Sequence, residues 1–214
     1  DLTLTAKWSI ISYTLTYDLD GGTNDSKNPS SLTYEDSVVI VSPTKEGHTF
    51  AGWEPALPET MPLNGSSHTA KWTVNSYEIT YVVDGKQYGE KQSCEYGSAI
   101  TAPVAPTKEG HTFSGWTGIP NTMPAENITV TGGFTVNTYK LTYVIDDEEY
   151  KSVGMVYGAE ITPEANPEKE HYTFNGWSEI PTTMPANDVT ITGSYSYTPT
   201  IVDGTAFTQE EDKE

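Results

Sequence analysis

The feature that most constrains the fold is internal repetition. Pro43-Thr44-Lys45-Glu46-Gly47-His48-Thr49-Phe50-Ala51-Gly52-Trp53 recurs as Pro106-Thr107-Lys108-Glu109-Gly110-His111-Thr112-Phe113-Ser114-Gly115-Trp116. A looser copy runs Pro167-Glu168-Lys169-Glu170-His171-Tyr172-Thr173-Phe174-Asn175-Gly176-Trp177. The tryptophans stand 63 and then 61 residues apart. Upstream of each copy lies a threonine-tyrosine segment, at Tyr13 to Tyr17, Tyr77 to Tyr81 and Tyr139 to Tyr143. Downstream comes a Met-Pro pair, at Met61-Pro62, Met123-Pro124 and Met184-Pro185. Each unit closes on an alternating segment, in which Ser66, His68, Ala70 and Trp72 match Ile128, Val130, Gly132 and Phe134, and then Val189, Ile191, Gly193 and Tyr195. A chain triplicated at this period folds as an array of small units, each one supersecondary assembly.

The closing segment also appears at the start, where Leu2, Leu4, Ala6 and Trp8 alternate with Thr3, Thr5 and Lys7. Each closing aromatic precedes the next opening tyrosine by five residues, from Trp8 to Tyr13, Trp72 to Tyr77 and Phe134 to Tyr139. The expected organisation is therefore residues 1–8 as the last strand of a preceding repeat, repeats at 9–74, 75–136 and 137–196, and an acidic tail or linker at 197–214. The sequence reads as a segment of a longer array.

Apolar residues alternating with threonine at period two mark half-buried strands. Asp20-Gly21-Gly22 and Asp84-Gly85 follow the opening strands and predict hairpin turns. A second strand returns around Tyr34, Tyr96 and Tyr157. Proline-rich stretches such as Ala102-Pro103-Val104-Ala105-Pro106 disfavour helix before the Gly-Trp element. The expectation is a mainly β chain of small, chiefly antiparallel domains with at most a short helical turn. The four-residue links at 73–76 and 135–138 leave little slack, so neighbouring units should be held end to end.

Composition narrows the partners. All 11 cationic side chains are lysines, set against 30 acidic residues for a formal charge of −19. Nucleic-acid affinity comes largely from neutralising phosphates, and arginine is the preferred phosphate fork. No nucleic-acid or anionic-membrane partner is expected on these grounds. The 14 tyrosines, 5 tryptophans and 5 phenylalanines supply cores and argue against disorder. A single cysteine, Cys94, allows no intrachain disulfide. No apolar run reaches the roughly 18–20 residues of a membrane helix, so no membrane insertion is expected. The sequence starts at Asp1 with neither methionine nor signal peptide, as a processed protein or an excised fragment would.

The Thr/Tyr strand, the Lys-Glu-Gly then Thr-Phe-x-Gly-Trp element, the Met-Pro pair and the closing aromatic strand together resemble the Listeria–Bacteroides repeat, the family of the internalin B repeats. The resemblance covers three units and one fragment, roughly residues 1–196. The third unit departs from it by carrying His171 where the others have Gly47 and Gly110. The resemblance implies a small β-grasp-like domain, a secreted or wall-attached bacterial parent protein and tandem display outside the cell. It brings no catalytic residues.

Candidate chemistry is thin. Phe50, Trp53, Phe113, Trp116, Phe174 and Trp177, with the strand tyrosines Tyr17, Tyr81 and Tyr143, read as the structural repeat core. A 60-residue domain needs large side chains to bury enough area, so core packing is preferred over sugar stacking for the tryptophans. Cys94 aligns with Leu32 and Met155, which makes it an apolar slot rather than a nucleophile. The four histidines lack the close spacing of a zinc site. Asp18, Asp20, Asn24 and Asp25 in unit one, and Asp146, Asp147, Glu148 and Glu149 in unit three, invite a calcium reading. EF-hand spacing is absent, however, and solvated turns are the simpler account. The Lys-Glu pair of each Gly-Trp element reads as a surface turn rather than a binding spot for a host protein. No catalytic, metal or cofactor site is expected, and an enzyme is not expected.

The functional expectation is a non-enzymatic segment of a bacterial cell-surface or secreted protein, monomeric, acting as an extended spacer with adhesion as an added role. Its partners would be adjacent repeats of the same chain, and three units of about 62 residues in series would span at least ~80 Å. The rival is a multivalent recognition module for a host surface protein or a glycan, gaining avidity from repetition.

Overall fold

The computed structural model describes residues 2–199, and these carry strands and no helix. Repeat 1 consists of β1 (Ser12–Asp18), β2 (Ser31–Thr33), β3 (His48–Glu54) and β4 (Ser66–Val74). Repeat 2 contributes β5 (Ser76–Val83), β6 (Lys86–Gln87), β7 (Gln92–Glu95), β8 (His111–Thr117) and β9 (Ile128–Val136). Repeat 3 holds β10 (Thr138–Ile145), β11 (Glu148–Val156), β12 (Tyr172–Trp177) and β13 (Val189–Tyr197). The sheet orders are β2-β1-β4-β3, β6-β5-β9-β8 with β7 also on β5, and β11-β10-β13-β12. The sheets are mainly antiparallel, as expected, but the opening and closing strands at the centre run parallel, Leu15 opposite Ser66 and Leu141 opposite Val189. Parallel neighbours need a long crossover, and the Pro-rich stretch, the Gly-Trp strand and the Met-Pro pair supply it.

Alternation along the opening strand sends Tyr13, Leu15 and Tyr17 to one face, and Leu15, Ile79 and Leu141 are fully buried there. The methionine of each Met-Pro pair closes the core from the other side: Met61, Met123 and Met184 are each 1% exposed. Their backbones are hooked to the turn after the second strand, Met61 N–H to Asp36 O at 2.8 Å, Met123 to Ser98 O at 2.9 Å and Met184 to Ala159 O at 2.8 Å. On the closing strand the buried slot holds His68, Val130 and Ile191 in turn.

The Phe-x-Gly-Trp element is a β-bulge. Phe50 pairs with Trp72, Gly52 with Lys71 and Trp53 with Ala70, so Ala51 is the extra residue. The same shift separates Phe174 from Trp177. Residues three apart on a regular strand face opposite sides. One inserted residue brings Phe and Trp to the same side, with ring centroids 5.3 Å apart in repeat 1 and 4.8 Å apart in repeat 3. Gly52 meets the bulge's positive φ of 125° and Gly176 one of 98°, a region that side chains rarely enter.

Asp84-Gly85 closes a hairpin as expected, whereas Asp20-Gly21-Gly22 forms a turn, Gly22 N–H to Leu19 O at 2.9 Å, that closes none, because β2, the partner of β1, begins only at Ser31. Asp84-Gly85 takes φ of 48° and 77°, and Asp146-Asp147 takes 49° and 68°, the signature of a type I′ turn. Residues 2–8, read as a closing strand, form no strand, and Trp8 is 94% exposed. A closing strand needs an opening and a Gly-Trp strand as ladder partners, and residues 2–8 pair with none of the described strands. Of the acidic stretch 197–214, residues 200–214 lie outside the described residues.

The chain divides into two compact units, Asp1–Pro103 with Trp116–Thr131, and Val104–Gly115 with Gly132–Glu214. Within the second unit the Lys108-Glu109-Gly110 turn packs on Tyr157 of repeat 3.

Candidate functional site: the repeat junctions

Single residues connect the repeats: Asn75 lies between β4 and β5, and Asn137 between β9 and β10. Asn75 donates its N–H to Gly47 O of repeat 1 at 2.9 Å, while its carbonyl accepts the Tyr96 N–H of repeat 2 at 2.8 Å. Its side-chain Oδ1 accepts from Thr49 Oγ1 at 2.6 Å. Asn137 repeats all three bonds, to Gly110 O at 2.8 Å, from Tyr157 N–H at 2.9 Å and from Thr112 Oγ1 at 2.6 Å. Thr198 holds the equivalent place after repeat 3, donating its N–H to His171 O at 2.7 Å.

The segments Lys45 to His48, Lys108 to His111 and Lys169 to Tyr172 are each a β-turn closed from the fourth residue's N–H to the lysine carbonyl at 3.1 Å. The third position has φ of 67° at Gly47, 65° at Gly110 and 67° at His171, as a type II turn requires. His171 thus preserves the turn. The ring of Tyr96 lies against Gly47 and that of Tyr157 against Gly110, each so close that a Cβ on the glycine would fall among the ring carbons. His48 and His111 flank these tyrosines edge-on at 5.7 Å. Their Nδ1 atoms sit 2.7 Å from the Glu46 and Glu109 carbonyls, so they serve as turn and junction groups. Tyr34, the equivalent tyrosine of repeat 1, is 49% exposed, and the neighbouring Glu35 carboxylate pushes its hydroxyl pKa up.

The lysine of each turn turns back over the closing aromatic, Lys45 Nζ 5.7 Å from the Trp72 ring centre, Lys108 5.4 Å from Phe134 and Lys169 5.2 Å from Tyr195. Sequence reasoning missed this cation–π pairing; its signal is a lysine recurring in step with an aromatic about 26 residues on.

The residues expected in the core occupy two depths. Tyr81 and Tyr143 are fully buried, whereas Tyr17, Trp53, Trp116, Trp177, Phe50, Phe113 and Phe174 are half-buried. Tyrosine and tryptophan meet as pairs, Tyr17–Trp53 at 5.4 Å, Tyr81–Trp116 at 5.0 Å and Tyr143–Trp177 at 4.9 Å. Indole nitrogens donate to backbone carbonyls, Trp116 to Pro103 at 3.3 Å and Trp177 to Glu164 at 3.1 Å. Cys94 pairs across from Tyr77, as Leu32 does from Tyr13 and Met155 from Tyr139, and it packs on the repeat 2 core.

Part of each acidic cluster is engaged locally. Asp18 Oδ1 accepts from the Asp20 N–H, Asp25 Oδ1 from the Lys27 N–H and Asp146 Oδ1 from the Tyr195 N–H. Glu149 pairs with Lys140 at 3.3 Å. Among the described residues no three His, Cys, Asp or Glu side chains converge as metal ligands.

Residues 13–62, 77–132 and 139–202 each match the Listeria-Bacteroides repeat domain. The chain belongs to this family. Among its relatives, a protein of Evansella cellulosilytica that is named a membrane protein is 32% identical over 197 residues, covering 82% of this chain and 29% of that protein. Internalin H of Listeria monocytogenes is 37% identical over 147 residues, covering 58% of this chain and 25% of its own length. The chain therefore spans less than a third of these relatives. A solved pair of streptococcal high-identity tandem repeats from a cell surface protein aligns with 58% of the chain at 19% identity and a TM-score of 0.27.

Proposed function

We propose that this member of the Listeria-Bacteroides repeat family is a non-enzymatic, monomeric segment of a bacterial cell-surface or secreted protein, in which tandem repeats act as an extended spacer. The observation that carries the reading is the junction. One asparagine links successive repeats, is hydrogen-bonded to both, and recurs with the same geometry at both links. A linker of one ordered residue has little of the conformational freedom of a flexible tether. The matches to Internalin H and to a protein named for a membrane support the location. The charge of −19 favours solubility and opposes self-association.

Small-angle X-ray scattering on the chain at physiological salt tests the reading. A rod-like profile with a maximum dimension above roughly 80 Å is expected. A compact particle would sink the spacer and favour a composite recognition surface for a host protein or glycan.

A further inference from the structure

The third residue of the Lys-Glu-Gly turn carries more information than the turn itself needs. His171 adopts φ of 67° there, the same as Gly47 and within two degrees of Gly110. Backbone conformation alone therefore does not demand glycine at 47 and 110. The tyrosine of the next repeat does: the first atoms a Cβ would meet at Gly47 are Tyr96 Cγ, Cδ1 and Cδ2, and at Gly110 the same three atoms of Tyr157. A packed interface cannot absorb a side chain in the volume of an aromatic ring. Both glycines are buried, whereas His171 is exposed. In repeat 1 the equivalent ring, that of Tyr34, is half exposed.

We propose that this turn position is a gate for repeat docking: glycine forms a socket for the tyrosine of a following Listeria-Bacteroides repeat, and His171 shuts the socket of repeat 3. The array is then polar. Repeat 3 accepts no tyrosine-bearing repeat in the Gly47 or Gly110 manner, while the Tyr34 face of repeat 1 fits the Lys-x-Gly turn of another repeat of the same kind. A Cβ at this turn position falls where the tyrosine ring lies in the other two junctions, and His171 supplies one without altering the turn or its backbone bond from Thr198 N–H to His171 O. The inference holds whether the array is a spacer or a binder.

The test is a double-mutant cycle in the full chain, with Gly110→His, Tyr157→Ala and both together, read by amide hydrogen exchange. The Asn137 and Tyr157 amides report the junction, and those of Ile79, Leu141 and Ile191 report the sheets. Gly110→His should speed junction exchange roughly tenfold or more by local opening and leave the sheet amides protected. In the Tyr157→Ala background the same substitution should add less than about twofold, because the ring it displaces is gone. If Gly110→His unfolds a repeat outright, Tyr157→Ala should restore folding. Unchanged junction protection, an equal effect of the histidine in both backgrounds, or failure of that rescue would each overturn the gate.

Discussion

Repeats 1 and 3 share a strand order, a bulge and a turn, yet they fill the middle of the sheet with opposite chemistry. In repeat 3 the closing strand supplies Val189 and a fully buried Ile191. In repeat 1 the same places hold Ser66 and His68, the latter only 2% exposed. The imidazole is satisfied: Nδ1–H donates to Pro55 O at 2.7 Å, leaving Nε2 to accept from Ser66 Oγ at 2.6 Å. The tyrosines differ in the reverse sense. Tyr17 donates to Pro29 O at 2.7 Å, whereas the buried hydroxyls of Tyr81 and Tyr143 have no hydrogen-bond partner among the described residues. The scaffold thus fixes which positions are buried, and each copy solves polarity on its own.

The largest effects should fall on what the repeats share. Trp53→Ala and Trp177→Ala each remove an indole that packs on both the strand tyrosine and the bulge phenylalanine. Each should cost about 3 kcal/mol in its own repeat. Calorimetry should show matching drops in both, and a loss confined to one repeat would break the equivalence.

Next comes the polar pair. Ile191→His buries an imidazole in an apolar cluster and should cost about 2–3 kcal/mol or more. The reverse exchange, Ser66→Ile with His68→Val, removes both partners together and should be close to neutral or stabilising. His68→Ala alone strands the Pro55 carbonyl and opens a cavity, so it should destabilise repeat 1 by about 2 kcal/mol. Chemical denaturation of the three variants checks the order, and equal costs for both exchanges would mean that the slot is indifferent to polarity.

A smaller effect of opposite sign is expected at the tyrosines. Tyr17→Phe loses a hydrogen bond and should cost ~1 kcal/mol. Tyr143→Phe removes a buried hydroxyl without a partner, so repeat 3 should hold its stability or gain about 1 kcal/mol. Parallel losses in the two variants would show that the Tyr143 hydroxyl is satisfied in solution.

Much of this comparison was legible in the sequence, but not its depth. The period-2 alternation exposed the strands, and Leu32, Cys94 and Met155 revealed one slot because strand register is local. The parallel pairing of opening and closing strands was hidden, since it depends on a crossover of some fifty residues. The Met-Pro pair showed in the sequence only as a recurrence, with no periodicity around it to give its depth, although its methionine is among the most buried groups in each repeat. The bulge was encoded by the glycine before tryptophan, a signal whose consequence appears only when Phe and Trp are seen on one face. Gly47 looked like a turn residue, and its steric role emerged only against His171, which makes the same turn.

The smallest expected effect is electrostatic and separates the repeats again. Asp36 Oδ2 accepts from both the Thr33 N–H at 2.8 Å and its hydroxyl at 2.7 Å, and these bonds hold the carboxyl below its usual range, with slight desolvation opposing them. The place of Asp36 is taken in repeat 3 by Ala159, which has no titrating group. A carboxyl with a lowered folded pKa binds fewer protons folded than unfolded between the two pKa values, so stability rises with pH there. The contribution is complete above the ordinary carboxylate range and is lost as pH falls through the lowered folded value. Because Asp36 is exposed, the effect should be small and should weaken in salt. Acid titration followed at the Thr33 amide should therefore show repeat 1 loosening its second turn, with no counterpart at Val156 in repeat 3. Asp36→Asn should flatten that response, and a Thr33 amide that still titrates in the variant would assign the acid sensitivity to another carboxylate.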